Sequence, residues 1–274
     1  MKQTKSFLGP LTIFQSFWLN RNLVWQMTKR EVIGRYRGSF LGLFWSLANP
    51  ILMLAVYTFV FGFIFQPHWS QGESSKAEFA IILFSGLIVF TLFSECVTHA
   101  PNLILLNVNY VKKVVFPLEI LPWVTMGVTL FHVIMNLFVL AVFFFIIHLS
   151  LNWTIIFLPV IFLPLVLFTL GLSWFLASIG VYVRDAGYAM HILTMMTMFL
   201  SPIFYPMSAI PESLRFVQYL NPLALIIEQT RAVLLWGHTP DWIGLGIHFV
   251  FSFLAAWFGL LWFQKMRKGF ADVI

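Results

Sequence analysis

The sequence predicts an all-α integral membrane protein: six transmembrane helices, an N-terminal amphipathic interface helix, and an outer helical hairpin between spans five and six. Three observations lead there. Of the 274 residues 60% are hydrophobic and only 9% charged, whereas a soluble domain carries about a quarter charged residues. The apolar residues form long uncharged runs, not the weak ten-residue alternation of a membrane barrel. Lys and Arg gather where these runs end, and alternate ends hold most of them.

The chain is organised around residues 28–65. Their first third is basic and amphipathic, with Lys29, Arg30, Arg35 and Arg37, and Phe40 to Phe65 has no charged side chain. Twenty-six helical residues are about 39 Å long, enough to cross a hydrocarbon core of about 30 Å with some tilt. Before this span, Phe7, Leu11, Phe14 and Trp18 recur at helical spacing among Lys5, Gln15 and Asn20, a pattern suited to a helix in the headgroup region. Thr28 followed by Glu31 predicts a capping box opening a second short helix through Tyr36. Residues 20–37 then read either as a plain stop-transfer anchor or as a helix that docks on a cytoplasmic partner. Residues 1–20 lack the continuous apolar core and small-residue cleavage site of a signal peptide.

A polar loop at 66–78 leads to span two, 79–97, which contains Glu95 near its inner end. An acidic residue in a span is a functional candidate by default, though an interfacial carboxylate bonded to a neighbouring helix fits as well. Residues 98–121 are too interrupted to span and carry Lys112, Lys113 and Pro117. Span three, 122–147, opens at Pro122 and places His132 and Asn136 on one face, where a helix–helix hydrogen-bonded pair competes with a pathway role. Span four, 153–183, ends at Arg184-Asp185, and span five, 186–204, is rich in Met and Thr. Ser201-Pro202, Ile210-Pro211 and Asn221-Pro222 then break the chain around two half-buried helices in 205–241, which fit a re-entrant or outer cap. Span six, 242–263, ends in Lys265, Arg267 and Lys268. With both termini in the cytoplasm, only Lys76, Arg215 and Arg231 of the sixteen Lys and Arg lie outside, as the positive-inside bias requires.

Two stretches carry a family resemblance. Arg35-Tyr36-Arg37-Gly38-Ser39, Leu41-Gly42, Trp45-Ser46-Leu47 and Asn49-Pro50 resemble the entry to the first span of type-2 ABC exporter permeases. Asn109 to Pro122 resembles the cytoplasmic loop of the members that export polysaccharides such as O-antigen, capsule and teichoic acid. The resemblance implies a coupling helix in that loop and a second coupling contact at Arg184-Asp185, which also fits an ordinary boundary ion pair. It also agrees with an outer hairpin containing Asn221–Leu223 and implies aromatics of spans one and five along the translocation path. Trp45, Tyr57, Phe199 and Tyr205 are the candidates, with lipid-facing or packing roles open for each. Glu95, Pro117, Pro122, Asn221 and Pro222 are structural or gating candidates. The expected location is the bacterial cytoplasmic (inner) membrane.

Several chemistries are missing. No G-x-x-x-x-G-K-[ST] loop, H-E-x-x-H, G-x-S-x-G or accessible carboxylate pair occurs, so no catalytic or metal residue is assigned. Cys96 is the single cysteine, which rules out an intrachain disulfide or a cysteine-cluster metal site. The net charge of +6 follows from the membrane boundaries rather than from nucleic-acid binding. One intramembrane acid argues against a proton relay, so energy for active transport must come from another polypeptide. Six spans are too few to enclose a glycan path, which predicts a homodimer with two separate ATP-binding-cassette ATPases holding ATP and Mg, a lipid-linked polysaccharide as cargo, and membrane lipid around them. The alternatives are a type-2 permease for a drug or small lipid, and an ATP-independent flippase for lipid-linked sugars.

Overall fold

The computed structural model describes residues 9, 12–60, 76–112 and 116–274, and every regular element among them is helical. Where the sequence predicts two short interface helices, one unbroken helix forms, α1 (Thr12–Tyr36). No proline and, before Gly34, no glycine interrupts it. Thr28 does not cap anything: it is buried, its hydroxyl donates to the Val124 carbonyl at 3.5 Å, and it lies over Gly127, where a Cβ would meet Thr28 Oγ1 at 2.7 Å. The buried stripe of α1 is Ile13, Ser16, Val24, Met27 and Val32 together with Thr28. Of the predicted aromatic face, Trp18 is exposed, while Phe14 stacks on Phe253 of the last long helix at 6.4 Å ring to ring; Phe7 and Leu11 lie outside the described residues.

Gly38 (φ +87°) and Gly42 (φ +51°) make the left-handed turn from α1 into a short 3-10 segment and α2 (Trp45–Phe59), a conformation that costs glycine nothing. The end of the predicted first span, 61–65, lies outside the described residues. α3 (Lys76–His99) is the centre of the bundle and touches α2, α5, α6, α7 and α9. Of its most apolar stretch 72% is buried, against 17% for residues 42–59. After a 3-10 turn at Ala100–Asn102 come the short α4 (Val108–Lys112), a 3-10 turn at Leu118–Ile120, and α5 (Leu121–His148). Pro122 stands in the first turn of α5, where its missing N–H is not needed.

Leu149 in the left-handed region (φ 53°) reverses the chain into a 3-10 turn and α6 (Leu158–Tyr182). α6 packs along α10 (Trp242–Met266) by small residues. A Cβ on Gly171 would come within 2.5 Å of the Ala255 carbonyl, and one on Gly259 would strike the backbone of Gly171. Such close approach is how helices associate in lipid, where the hydrophobic effect between them vanishes. Gly180 meets the Pro101 carbonyl in the same way. α7 (Ala186–Leu200) follows, then α8 (Arg215–Leu220), α9 (Pro222–Leu234), α10 and, after Arg267–Gly269, the terminal α11 (Phe270–Val273).

Among the described residues, five helical segments are long and apolar enough to cross a membrane: 42–59, 77–102, 118–148, 153–182 and 242–273. The predicted fifth span, 186–204, corresponds to α7, which stops at Leu200 because Ser201-Pro202 breaks it. Its fifteen residues reach about 22 Å, short of a full hydrocarbon core. The chain is a multi-pass membrane protein by these segments.

Candidate functional site

α4, the 118–120 turn and α11 lie together at one end of the bundle, called here the basic end. Arg35 and Tyr36, in the last turn of α1, reach the end of α3 at Glu95 and the middle of α5 at His132. Arg35 Nη1 donates to Glu95 Oε1 at 2.6 Å and lies 3.2 Å from His132 Nδ1; the other Glu95 oxygen is 3.1 Å from the same His132 nitrogen. The Tyr36 hydroxyl is 3.3 Å from His132 Nε2. Burial, reinforced by Glu95 and opposed by Arg35, raises the Tyr36 pKa above the usual phenol value, so this hydroxyl stays protonated. Glu95 is thus bonded to two neighbouring helices, α1 through Arg35 and α5 through His132. Among the described residues Asn136 shares no part of this cluster.

One and a half turns before Arg35, Arg30 donates to the Tyr110 hydroxyl at 3.2 Å. That bond joins α1 directly to α4, so the two segments the sequence singles out as coupling elements touch. A cleft of ≈ 120 Å³ opens beside this contact, between α1, α3, α5 and the segment before α4, lined among others by Arg30, Glu31, Arg35, Glu95, His99 and Asn107. Lys29 and Arg37 are exposed and point elsewhere. Lys112 is exposed too, and its ammonium donates to the Ile274 backbone oxygen at 2.7 Å; Lys113 lies outside the described residues. Arg184 and Asp185 form an exposed turn ahead of α7. Pro117 precedes the 118–120 turn, which is fixed by Glu119: its carboxylate accepts from Arg267 at 2.5 Å and its carbonyl from Trp174 Nε1 at 2.9 Å.

At the opposite end, α8 and α9 cap the bundle. Asn221 is the N-cap of α9: its Oδ1 accepts from the Leu223 N–H at 2.9 Å, and Pro222 fills the first helical position, a pairing that helix starts favour. The Asn221 Nδ2 also donates to Ser201 Oγ at 2.9 Å. Arg231 has no exposed side-chain surface. Its guanidinium donates to the carbonyls of Ile82 (3.2 Å), Pro202 (2.7 Å) and Ile203 (3.0 Å) and to Glu228 Oε1 (3.0 Å). Burial lowers its pKa to about 10, with Glu228 opposing the shift, so it remains charged at physiological pH.

The four candidate path aromatics do not converge. Trp45 and Phe199 lie on exposed faces of α2 and α7. Tyr57 turns inward, 6.4 Å ring to ring from Phe84 of α3, because α2 crosses α3 along the stripe of Pro50, Leu54 and Tyr57. Tyr205 caps α7 instead, its hydroxyl donating to the Phe199 carbonyl at 3.0 Å. Sequence reasoning missed Tyr110, Gln218 and the Glu119–Arg267 pair, for which no spacing rule exists. Arg231 carried a detectable signal, a lone cation among apolar residues of an amphipathic run.

The ABC-2 type transporter family model matches residues 22–235. The O-antigen export system permease protein RfbA of Myxococcus xanthus is 28% identical over 266 residues, covering 96% of this chain and 100% of its own length. RfbA of Klebsiella pneumoniae is 26% identical over 250 residues, 90% of this chain and 93% of its own. The polysialic acid transport protein KpsM of Escherichia coli is 22% identical over 251 residues, 87% of this chain and 91% of its own.

Proposed function

The chain belongs to the ABC-2 type transporter family, and from that premise we propose that it is the membrane-spanning subunit of a polysaccharide exporter. The cargo is a lipid-linked polymer of the O-antigen, capsule or teichoic-acid type, moved across the cytoplasmic membrane. ATP and Mg are bound by separate ATPase subunits, and this chain itself is no enzyme. The observation that carries the reading is near full-length similarity to O-antigen export permeases: up to 96% of the chain aligns, so the whole membrane domain is shared rather than one motif.

Two copies of the chain and two ATPases make the working unit. α7 serves as a sixth crossing despite its length, supported by the charge pattern: without it Lys265, Arg267 and Lys268 would fall on the opposite side from Lys29, Arg30, Arg35 and Arg37, against the positive-inside bias. The basic end then faces the cytoplasm. Closure of the ATPase pair pushes on the surface where α1 and α4 meet through Arg30 and Tyr110, and Arg35 transmits the push to α3 and α5 through Glu95 and His132. This changes the role expected for Arg35, which faces the spans rather than a partner.

The test is co-expression with the ATP-binding subunit encoded beside it, purification in detergent, and ATPase assay with lipid-linked glycan. A stable two-plus-two complex whose hydrolysis rate responds to the glycan supports the reading. A complex that responds to a drug or small lipid instead makes the chain a permease for that cargo. A chain that captures no ATPase shifts the reading to an ATP-independent flippase.

A further inference from the structure

Among the described residues, α7 is hydrogen-bonded to other segments only at its C-terminal end, while its start packs against the Asn102 side chain without such a bond. Of its fifteen residues Thr194 alone is buried, and at its start Arg184 and Asp185 are exposed and Tyr188 is 80% exposed. Its other end is tied down. A helix C-terminus leaves its last carbonyls short of intrahelical partners, and here side chains from beyond the helix reach three of them. Tyr205 donates to Phe199 O, Gln218 Nε2 to Leu200 O at 2.8 Å, and Ser201 Oγ to Thr197 O at 2.7 Å. Arg231 takes the Pro202 and Ile203 carbonyls, and with its Nε the Ile82 carbonyl of α3.

A buried guanidinium is an expensive way to hold helices together, since an aliphatic side chain would pack there without desolvating a charge. What it adds is geometry. Its planar fork fixes three carbonyls from two chain segments relative to one another, and one of them belongs to the most buried helix of the bundle. We propose that Arg231 is a positioning residue that pins the end of α7 to α3, so that α7 swings about Pro202-Ile203 when its Asp185 end is displaced. Pro202 supplies the break in the helix that such a hinge needs. The inference rests on the transporter reading for the source of the displacement, but the pin itself does not.

The geometry gives the expected movement. Tyr188 stands fourteen residues before Pro202, about 21 Å along the helix. A swing of about 15° about Pro202 moves Tyr188 by about 5 Å and Phe199 by about 1 Å. Spin-label pairs report both ends: Phe199 with Ile243 at the start of α10, and Tyr188 with Lys265 near its end, all exposed. The buried Cys96 is kept, and labelled chain is diluted with unlabelled chain.

In nucleotide-free chain reconstituted in nanodiscs, Arg231→Met is expected to broaden the Phe199–Ile243 distance distribution about twofold, and Arg231→Lys to broaden it less. Asn221→Ala, which removes a bond to Ser201 and leaves Arg231 in place, broadens it too and serves if Arg231→Met does not fold. An unchanged distribution in every folded variant overturns the pin. With the ATPase subunit and a non-hydrolysable ATP analogue, the Tyr188 pair shifts by about 5 Å while the Phe199 pair shifts by no more than about 1 Å. Equal shifts at the two ends, or movement at Phe199 alone, overturn the hinge. A chain that binds no ATPase sinks the transporter reading instead, and the nucleotide-free widths still decide the pin.

Discussion

The bond between Arg35 and Glu95 is the proposed route by which motion at α1 enters the spans, and its strength can be worked out. Unit charges about 4 Å apart interact by about 4 kcal/mol at an effective dielectric constant of about 20. Arg35 is 41% exposed and Glu95 15%, so solvent screening reduces the coupling to about 1–2 kcal/mol. Replacing each by Gln, alone and together, forms a double-mutant cycle. Glu95→Gln is the harsher single change, because it also weakens the contact with His132 at 3.1 Å. Arg35→Gln leaves that contact in place. The double variant is expected to be no worse than Glu95→Gln, with a coupling free energy of about 1–2 kcal/mol. The assays are the inactivation half-life at fixed temperature, suited to a protein that unfolds irreversibly, and ATP hydrolysed per polymer exported in proteoliposomes. Export per ATP should fall in all three variants. Losses that simply add, or an Arg35→Gln protein exporting with unchanged economy, would refute the reasoning.

Other expectations follow from single contacts. Gly180→Ala drives a Cβ into the Pro101 carbonyl, backbone that cannot step aside, and should cost about 1–3 kcal/mol, seen as a lower melting temperature and poorer yield of monodisperse protein. Reversing Lys112 and Lys113 to Glu should leave the protein folded, checked by its melting, while hydrolysis continues without export; export at the normal rate would remove Lys112 from the coupling surface. Glu119→Gln loses the ionic part of the Arg267 bond but keeps the Trp174 bond to its carbonyl. It should cost about 1 kcal/mol and make melting less sensitive to salt than in wild type.

Much of this protein was legible in the sequence because lipid imposes simple rules. Backbone groups must be satisfied within each segment, so every long uncharged run becomes a helix, and positive charge marks the ends. The helices α3, α5, α6 and α10 lie where the apolar runs place them, to within a few residues. Local breakers were legible for the same reason: Ser201-Pro202 ends α7 and Asn221-Pro222 starts α9. The resemblance of two short motifs named the family before any geometry was known.

Tertiary structure decided the partners. Thr28 carries a capping-box pattern, yet α1 runs through it, because burial against α5 in a stretch without proline outweighs one local side-chain cap. Arg35 and Arg37 look equivalent in sequence, two residues apart; helix geometry turns one onto Glu95 and leaves the other exposed. Tyr57 and Tyr205 read as pathway aromatics, but one packs on Phe84 and the other caps α7. The role of Arg231 needs three carbonyls from residues 82, 202 and 203. Periodicity and charge bias are properties of one segment in its solvent and can be read along the chain. Which side chain meets which carbonyl depends on how segments far apart in sequence cross, and that only the folded bundle fixes.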